Sequence, residues 1–399
     1  MNKRILIIGG KKAVLRKAKT LGLEVIYIQK SRSFSAEHLE YVDFCIVSDF
    51  NNTEKLIDIA KTIYSIIPFD YVISLSEFGL IPASVINDYF NLEGNSNFTV
   101  TLLKNKLMLR EHLNNRNISK VAASKGISLS DIENFISENN YPIIVKPIDG
   151  EGSFGIFKIN KSDNLLEKWH QIKRTGLNEF IIEEYLEGLE VSVECFTFNG
   201  RHEIIAVTEK LGYKNFVETG HVVPARLGKE SLESVHRLID TFLNSIDLKV
   251  GPSHTEIKFT PTGPKIIESH NRRGGGNINE LVELAYGIDM EELALTYPIL
   301  DKGYPQLNKK VIQGSMIRFV IPKPGIVEEI RGVDDIKEDG NLAIIHLNIN
   351  VGDRVRELNW AQDRAGYMIV TGHDSNLAID NCQRLYNKLL IKTSQGGVK

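Results

Sequence analysis

Cysteine is scarce. Cys45, Cys195 and Cys382 are the three in 399 residues, far apart and without a C-x-x-C pair. That argues against a disulfide framework and against a cysteine-based structural zinc site, and reads as free thiols in a reducing compartment. A charge excess is missing too. The 48 basic and 51 acidic residues leave a net charge of −3, without the basic surplus that nucleic-acid binding favours. Long apolar runs are also absent. The chain opens Met1-Asn2-Lys3-Arg4, and the apolar stretch Ile5–Ile8 stops at Gly9-Gly10, short of the roughly 7–15 residues of a signal peptide. Nothing approaches the ~18 apolar residues of a membrane span. Neither nucleic acid nor membrane is expected as a partner, and the cytoplasm is the expected compartment.

What is present is enough chain for two or three domains with real cores. Residues 4–8 read as a strand, followed by a helical pattern through Leu15, Ala18 and Leu21 and a second strand at 24–28. Strand 44–47, helix 53–66 and strand 71–74 repeat the alternation. This βαβ pattern predicts a small doubly wound α/β domain. Its first turn, Gly9-Gly10-Lys11-Lys12, fits neither G-x-G-x-x-G nor the P-loop pattern, so a tight strand-to-helix turn explains the glycines. A helix is predicted over 102–114 and another over 130–139. Beyond Tyr141-Pro142 the chain turns strand-rich, at 143–146, 155–159, 180–183 and 190–198. The stripe Leu232, Val235, Leu238, Ile239, Phe242, Ile246 predicts an amphipathic helix over 231–246. The last 90 residues read as β-rich with a closing helix near 375–391. The fold class is α/β plus α+β.

Gly150-Glu151-Gly152-Ser153-Phe154-Gly155 matches G-x-G-x-x-G. A dinucleotide fingerprint opens a helix; this segment lies between two predicted strands, as in a glycine hairpin folded over phosphates. Glycines let backbone N–H groups approach anionic oxygens. A protein kinase is excluded, because the H-R-D and D-F-G motifs are missing. Taken alone, an ordinary flexible hairpin explains the loop as well. Lys146 ends the preceding apolar strand, well placed to meet a phosphate. Lys106 lies forty residues earlier on a helix, where a solvated lysine is the simpler reading.

The most specific pattern is at 254–270. Two strands flank Thr260-Pro261-Thr262-Gly263-Pro264, a turn signal. A hairpin centred on Thr262 sets Glu256 opposite Glu268, His254 opposite His270, and Ile257 opposite Ile267 on the other face. Opposed like charges destabilise a strand pair and raise one another's pKa, so a compensating cation is expected. Magnesium suits two carboxylates beside phosphates; zinc through the two histidines is the alternative, and solvated carboxylates the simplest one. Next comes Asn271-Arg272-Arg273-Gly274-Gly275-Gly276, arginines and glycines fit to meet a transferring phosphoryl group.

With these residues the chain resembles the ATP-grasp superfamily of carboxylate–amine ligases, and within it the bacterial L-amino acid ligases that form dipeptides. The resemblance spans nearly the whole chain. It implies an ATP-grasp fold with a pre-ATP-grasp domain at 1–100, an ATP-grasp domain at 101–305 whose lid covers about 120–190, and a C-terminal β-rich subdomain at 306–399. It implies ATP with magnesium, or manganese, as cofactors. By resemblance Lys106 and Lys146 meet phosphates under the loop Glu151, Gly152, Ser153, Phe154, Gly155. Glu183, Glu184, Tyr185 and Leu186 form the hinge that receives adenine, and Glu190 meets the ribose. Glu256 and Glu268 are the metal carboxylates, and Arg272 meets the γ-phosphate or acyl-phosphate, with Gly275 and Gly276 beside the substrate. The family pattern Glu-x-Asn-x-Arg departs here: His270 stands where asparagine is usual, and joins the metal candidates. His254 joins the substrate-side candidates. Glu77, at the carboxyl end of a predicted strand, is placed for an amino group or as a helix N-terminal acid. Residues 212–226 resemble a covering loop, with Glu218, His221 and Arg226 as candidates. The implied reaction joins a small carboxylate to an amine through an acyl-phosphate. The rivals are an ATP-grasp enzyme phosphorylating bicarbonate or another small acid, and a nucleotide-binding protein without catalysis. Similar proteins are commonly homodimers.

Overall fold

A computed structural model describes residues 3–150, 152–298 and 305–394. The first domain runs β1 (Arg4–Ile8), α1 (Lys12–Thr20), β2 (Glu24–Gln29), β3 (Phe44–Val47), α2 (Thr53–Ile66), β4 (Tyr71–Ile73) and α3 (Leu80–Phe90). Its sheet is parallel in the order β3-β2-β1-β4, the expected doubly wound arrangement. Alternation along β1 feeds two cores. Leu6 and Ile8 meet Leu56, Ala60 and Ile63 of α2, whereas Ile5 and Ile7 face α1 and, beyond it, Phe196, Leu281 and Val282 of the next domain. One face of this sheet is thus sealed against the rest of the molecule.

The single helix expected over 102–114 is two: α4 (Asn97–Lys104) and α5 (Lys106–Asn115). Asn105 adopts an extended backbone between them, and its side chain accepts from the N–H of Met108 at 3.0 Å, so a capping residue wins over a continuous apolar stripe. The lid follows: β5 (Ala123–Gly126), α6 (Leu129–Glu138), β6 (Ile143–Pro147), β7 (Phe157–Ile159), α7 (Leu165–Arg174) and β8 (Phe180–Glu184). Its antiparallel sheet, ordered β5-β8-β6-β7, has a core of its own around Ile132, Phe135, Val145, Ile172 and Phe180. β7 begins at Phe157 rather than 155 because Gly155 sits at φ +73, outside the strand region.

The central sheet contains β9 (Leu189–Phe198), β10 (Arg201–Lys214), β11 (Val217–Val223), β12 (Gly251–Thr260) and β13 (Gly263–His270), with α8 (Lys229–Ser245) between β11 and β12. After α9 (Ile278–Tyr286) and α10 (Met290–Thr296) come β14 (Gly314–Val320), β15 (Gly325–Arg331), α11 (Val333–Lys337), β16 (Leu342–Leu347), β17 (Arg354–Val355), β18 (Gly366–Gly372), α12 (Ser375–Tyr386) and β19 (Leu390–Ser394). The closing helix expected to reach 391 ends at Tyr386; the chain then pairs with β15 as β19. β11 pairs with β14, which continues the sheet as β13-β12-β9-β10-β11-β14-β18-β16. The expected division at 305/306 adjoins residues outside those described, and the large sheet crosses it. β15, β17 and β19 form a separate three-stranded sheet.

Period-2 alternation positions the site. Val191, Val193, Val207, Ile257 and Ile266 pack under α8 against Val235, Ile239, Phe242 and Leu243, each such side chain contributing about 1.5–3 kcal/mol on burial. Glu190, Ser192, Glu194, Lys210, His254 and Glu256 therefore rise from the other face. The three cysteines are unpaired. Among the described residues no helix is long and apolar enough to cross a membrane.

Candidate active site

β12 and β13 pair with Glu256 opposite Glu268 and His254 opposite His270. The turn is not symmetric about Thr262, however. A bulge after Glu256 pairs Ile257 with Ile266 instead of Ile267, so the expected facing of Ile257 and Ile267 is corrected. The extra residue sends Ile267 to the polar face, where it lines the same cavity as the two carboxylates. A bulge re-aims one side chain without disturbing the pairs beyond it.

That cavity, of about 440 Å³, lies between the lid and the central sheet. Its walls bring together Lys146, Gly152, Ser153 and Phe154 of the lid and Lys106 at the start of α5. Glu183, Glu184, Tyr185, Leu186 and Glu190 form its back, and Glu218, Glu256 and Glu268 its floor. Glu151 lies outside the described residues, and Gly155 sits at the base of the loop, where a Cβ would come within 3.2 Å of Pro147.

The buried anions here are matched by cations. Nζ of Lys106 lies 3.1 Å from Glu268 and donates to the Gly150 carbonyl at 2.8 Å. Lys146, buried at the end of β6, is 2.6 Å from Glu183, which also accepts from Nε of Arg110 at 2.7 Å. The Glu183 side chain thus holds two cations, Lys146 and Arg110. Lys210 stands among Glu256, Glu218 at 2.9 Å and Glu190 at 3.3 Å. Burial pushes the Glu256 and Glu268 carboxyls up, but Lys210 on one and Lys106 on the other outweigh it and hold both below the usual range. The expected mutual raising is therefore overridden. Burial pushes the Lys210 ammonium down, and its three glutamates leave it well above its ordinary value. Lys210 escaped the sequence reading because 201–214 was not recognised as a strand; alternation from Thr208 to Lys210 would have put it on the carboxylate face.

His254 is buried below this layer. Its Nδ1 is 2.9 Å from the fully buried Glu194, and its Nε2 faces Glu256 at 3.4 Å. Burial disfavours its charge, but the Glu194 carboxylate outweighs it and raises its pKa to about 9. Its ring thus links Glu194 to Glu256.

A second cavity, of about 820 Å³, adjoins the first and opens over the carboxyl ends of β1, β2 and β4; Arg272, Gly275 and Glu77 line it. Glu77 pairs with Arg272 and, at 3.1 Å, with Lys104. Burial pushes the Glu77 carboxyl up, yet His270, Arg272 and Lys104 hold it well below the carboxylate range. Glu77 stands in the first turn of a short 3-10 helix leading into α3, as the helix N-terminal reading expects, and it also anchors Arg272. His270 stands between the cavities, with Nε2 3.3 Å from Glu268 and Nδ1 3.5 Å from Glu77.

Residues 142–147 and 180–190, the loop residues 152–155 and the opposed carboxylates together frame a cleft between two antiparallel sheets. Family models match three stretches: ATP-grasp N-terminal domain at 15–92, ATP-grasp domain at 139–280, and L-amino acid ligase C-terminal domain 2 at 318–394. This chain is an ATP-grasp protein. It is 23% identical over 332 residues to the L-arginine-specific L-amino acid ligase of Bacillus subtilis, covering 78% of this chain and 77% of that one. It is 22% identical over 250 residues to the alanine–anticapsin ligase of Bacillus subtilis (strain 168), covering 57% and 53%. The crystal structure of the L-amino acid ligase from Bacillus licheniformis superposes with a TM-score of 0.84 at 21% identity, covering 99% of both chains.

The remaining substrate-side candidates of this ATP-grasp chain divide. Residues 212–226, expected as a covering loop, are the end of the β10–β11 hairpin and the segment after it; Tyr213, Asn215, Phe216 and Glu218 close the nucleotide cavity. His221 is buried beside Gly276, where a Cβ would lie 3.1 Å from its Nε2, and burial lowers its pKa to about 4. Arg226 is not brought to the site. It pairs at 2.6 Å with Glu209, which alternation places on the opposite face from Lys210.

Proposed function

We propose that this protein is an ADP-forming ligase that joins the carboxylate of one amino acid to the amine of a second through an acyl-phosphate. The observation that carries the reading is the opposed pair Glu256 and Glu268, kept ionised by Lys210 and Lys106 under a glycine loop. ATP is a substrate, consumed in the reaction. The segment 184–186 receives its base. The N–H groups of Glu184 and Tyr185 already donate to the carbonyls of Ala122 and Pro142, which leaves the Leu186 N–H as donor to the purine. Glu190 takes the ribose, and Lys106 and Lys146 the phosphates.

The donor set fits magnesium: two ionised oxygens on one face, with lysines now holding the charge that a hard divalent cation would neutralise. Bound there, the ion would neutralise charge on the phosphates. The protein's own groups do the rest. Lys146 stabilises the transferring phosphoryl group from the lid side, and Arg272, oriented by Glu77, from the acid side. A carboxylate oxygen bonds to the γ-phosphorus as the bond to ADP breaks. The amine nitrogen then attacks the acyl carbon, loses a proton, and expels phosphate. Closure of the loop at 150–155 excludes water that would hydrolyse the intermediate. The need for ATP sets the reaction in the cytoplasm. The test is a screen of amino acid pairs with ATP, scoring ADP release and product mass. Amide product and ADP in equal amounts, both abolished by Glu268→Gln, are expected. ADP release that bicarbonate drives without any amine would refute the ligase reading.

A further inference from the structure

The second cavity is larger than Arg272 and Gly275 require, and it is basic. Lys11, Lys12, Lys30, Arg32, Arg272 and Arg273 line it, against Glu77 as the lone carboxylate. Three of these cations have acidic partners: Lys12 with Glu37, Arg272 with Glu77 and Arg273 with Glu291. Lys30 is different. It is 9% exposed, yet its Nζ donates to the neutral Oδ1 of Asn51 at 2.6 Å, and the nearest carboxylate oxygen, on exposed Asp49, is 3.8 Å away. The buried lysines of the nucleotide cavity each have a glutamate oxygen within 3.1 Å. The Lys30 ammonium also lies over the Phe50 ring, 4.6 Å from its centroid, a weaker contact than a close carboxylate, so an anion that reaches it adds what these neighbours do not supply. Lys11 and Arg32, exposed at the rim, have no ion pair among the described residues.

The start of α1 points the same way. Lys11 is its N-cap, Lys12 follows, its first turn has no acidic residue, and no side chain caps it. Cations there oppose the helix dipole, so the sequence gives up local helix stability. It gains a wall where uncapped N–H groups and lysines converge on an anion. Gly9 and Gly10, at φ +63 and +100, turn the chain from β1 into this helix, and Lys30 follows directly after β2. The basic groups thus gather at the carboxyl ends of two adjacent parallel strands, where open α/β sheets take ligands.

We infer that this cavity receives a second anionic group on the acid whose reacting carboxylate lies at Arg272: the side-chain carboxylate of glutamate or aspartate, or a phosphate ester on a serine-like side chain. This deepens the ligase reading and rests on it for the identity of the reacting end. Lys30 is the discriminating residue, and Arg32 and Lys11 complete the charge at the rim. A neutral side chain would leave Lys30 with Asn51, the Phe50 ring and the more distant Asp49 carboxylate alone.

Calorimetry on the full chain with magnesium and a non-hydrolysable ATP analogue tests this directly. Glutamate and aspartate are compared with glutamine and asparagine, and O-phosphoserine forms a third arm that separates a phosphate from a carboxylate. The acids should bind at least about tenfold tighter than their amides. Lys30→Met should bring the ratio to within about twofold while nucleotide affinity is kept. Arg32→Ser, on an exposed side chain that no fold contact needs, should lower the ratio severalfold and guards against a misfolded Lys30 variant. Equal binding of acids and amides, failure of any acid to bind, or a preference that survives both substitutions would overturn the inference. Amide formation from neutral pairs without acidic preference would remove this inference and leave the ligase. Acidic preference in binding with no turnover from any pair would remove the ligase and keep the anion site.

Discussion

Lys210 ends among Glu190, Glu218 and Glu256, whose oxygens lie within 4.8 Å of one another. Removing the cation from such a buried cluster costs about 3–5 kcal/mol. Lys210→Met should therefore lower the Tm sharply, and because three carboxylates then converge on an empty centre, magnesium should raise the Tm of the variant more than that of the parent. Equal response to magnesium would show that the glutamates do not act as one group. Two histidines set the pH behaviour from opposite sides. His254, raised to about 9, stabilises the fold fully below its unfolded pKa of about 6.5 and loses that contribution as pH rises through about 9. A shift of that size is worth roughly 3 kcal/mol. His221, lowered to about 4, stabilises the fold above about 6.5 and loses that contribution as pH falls towards 4. Urea unfolding across this range should show His254→Gln flattening the alkaline limb and His221→Gln the acid one. Unchanged slopes would refute the assignments. At this scale Glu256, Glu268 and Lys146 were legible, because strand period and a turn signal fix facing. Lys210 and Arg110 were not, since the partner of a buried cation is set by which elements become neighbours.

The glycine loop is an element tied at its far end. The Gly152 carbonyl accepts from the Ala361 N–H at 3.1 Å, and the Phe154 and Trp360 rings stand 5.8 Å apart, edge to face. Asn215, in the β10–β11 turn, donates to the Leu358 carbonyl at 2.9 Å, so one C-terminal segment fastens both covers of the nucleotide cavity. Gly152 sits at φ +70 with Ala361 Cβ 3.4 Å from where a side chain would begin. Gly152→Val should cut kcat by about 100-fold through misplacement of the loop, with nucleotide affinity changed only a few-fold, because the base-binding segment 184–186 is untouched. Parallel loss of both would show that the loop does not act on phosphates. Trp360→Ala removes a ring contact worth about 0.5–1.5 kcal/mol. The loosened lid should admit water, so that ADP forms faster than amide; a ratio that stays at one would refute the latch. The sequence showed the loop through its glycines and the hairpin through its turn. It hid the latch, which joins residues some 200 positions apart, and β5, whose polar Ala123–Gly126 carries no apolar alternation.

On the scale of the whole molecule, two bodies frame the chemistry. The first domain and the central sheet share a core through Ile5, Ile7, Phe196 and Leu281, whereas the lid keeps a core of its own. The lid joins the central sheet through the segment 185–188, between β8 and β9. The second cavity belongs to the body of the first domain and central sheet, and Lys146 to the lid. Parallel and antiparallel domains were both readable from their periods. The continuous eight-stranded sheet was not, because the β11–β14 pairing depends on long-range contact that no local pattern records. All of this converges on one cation between two strands. The direct measurement is anomalous diffraction from crystals grown with manganese and a non-hydrolysable ATP analogue. The account predicts a peak bridging the Glu256 and Glu268 carboxylates and the triphosphate. A triphosphate seated in the cleft with no peak between those carboxylates, or with both turned away from it, would contradict it.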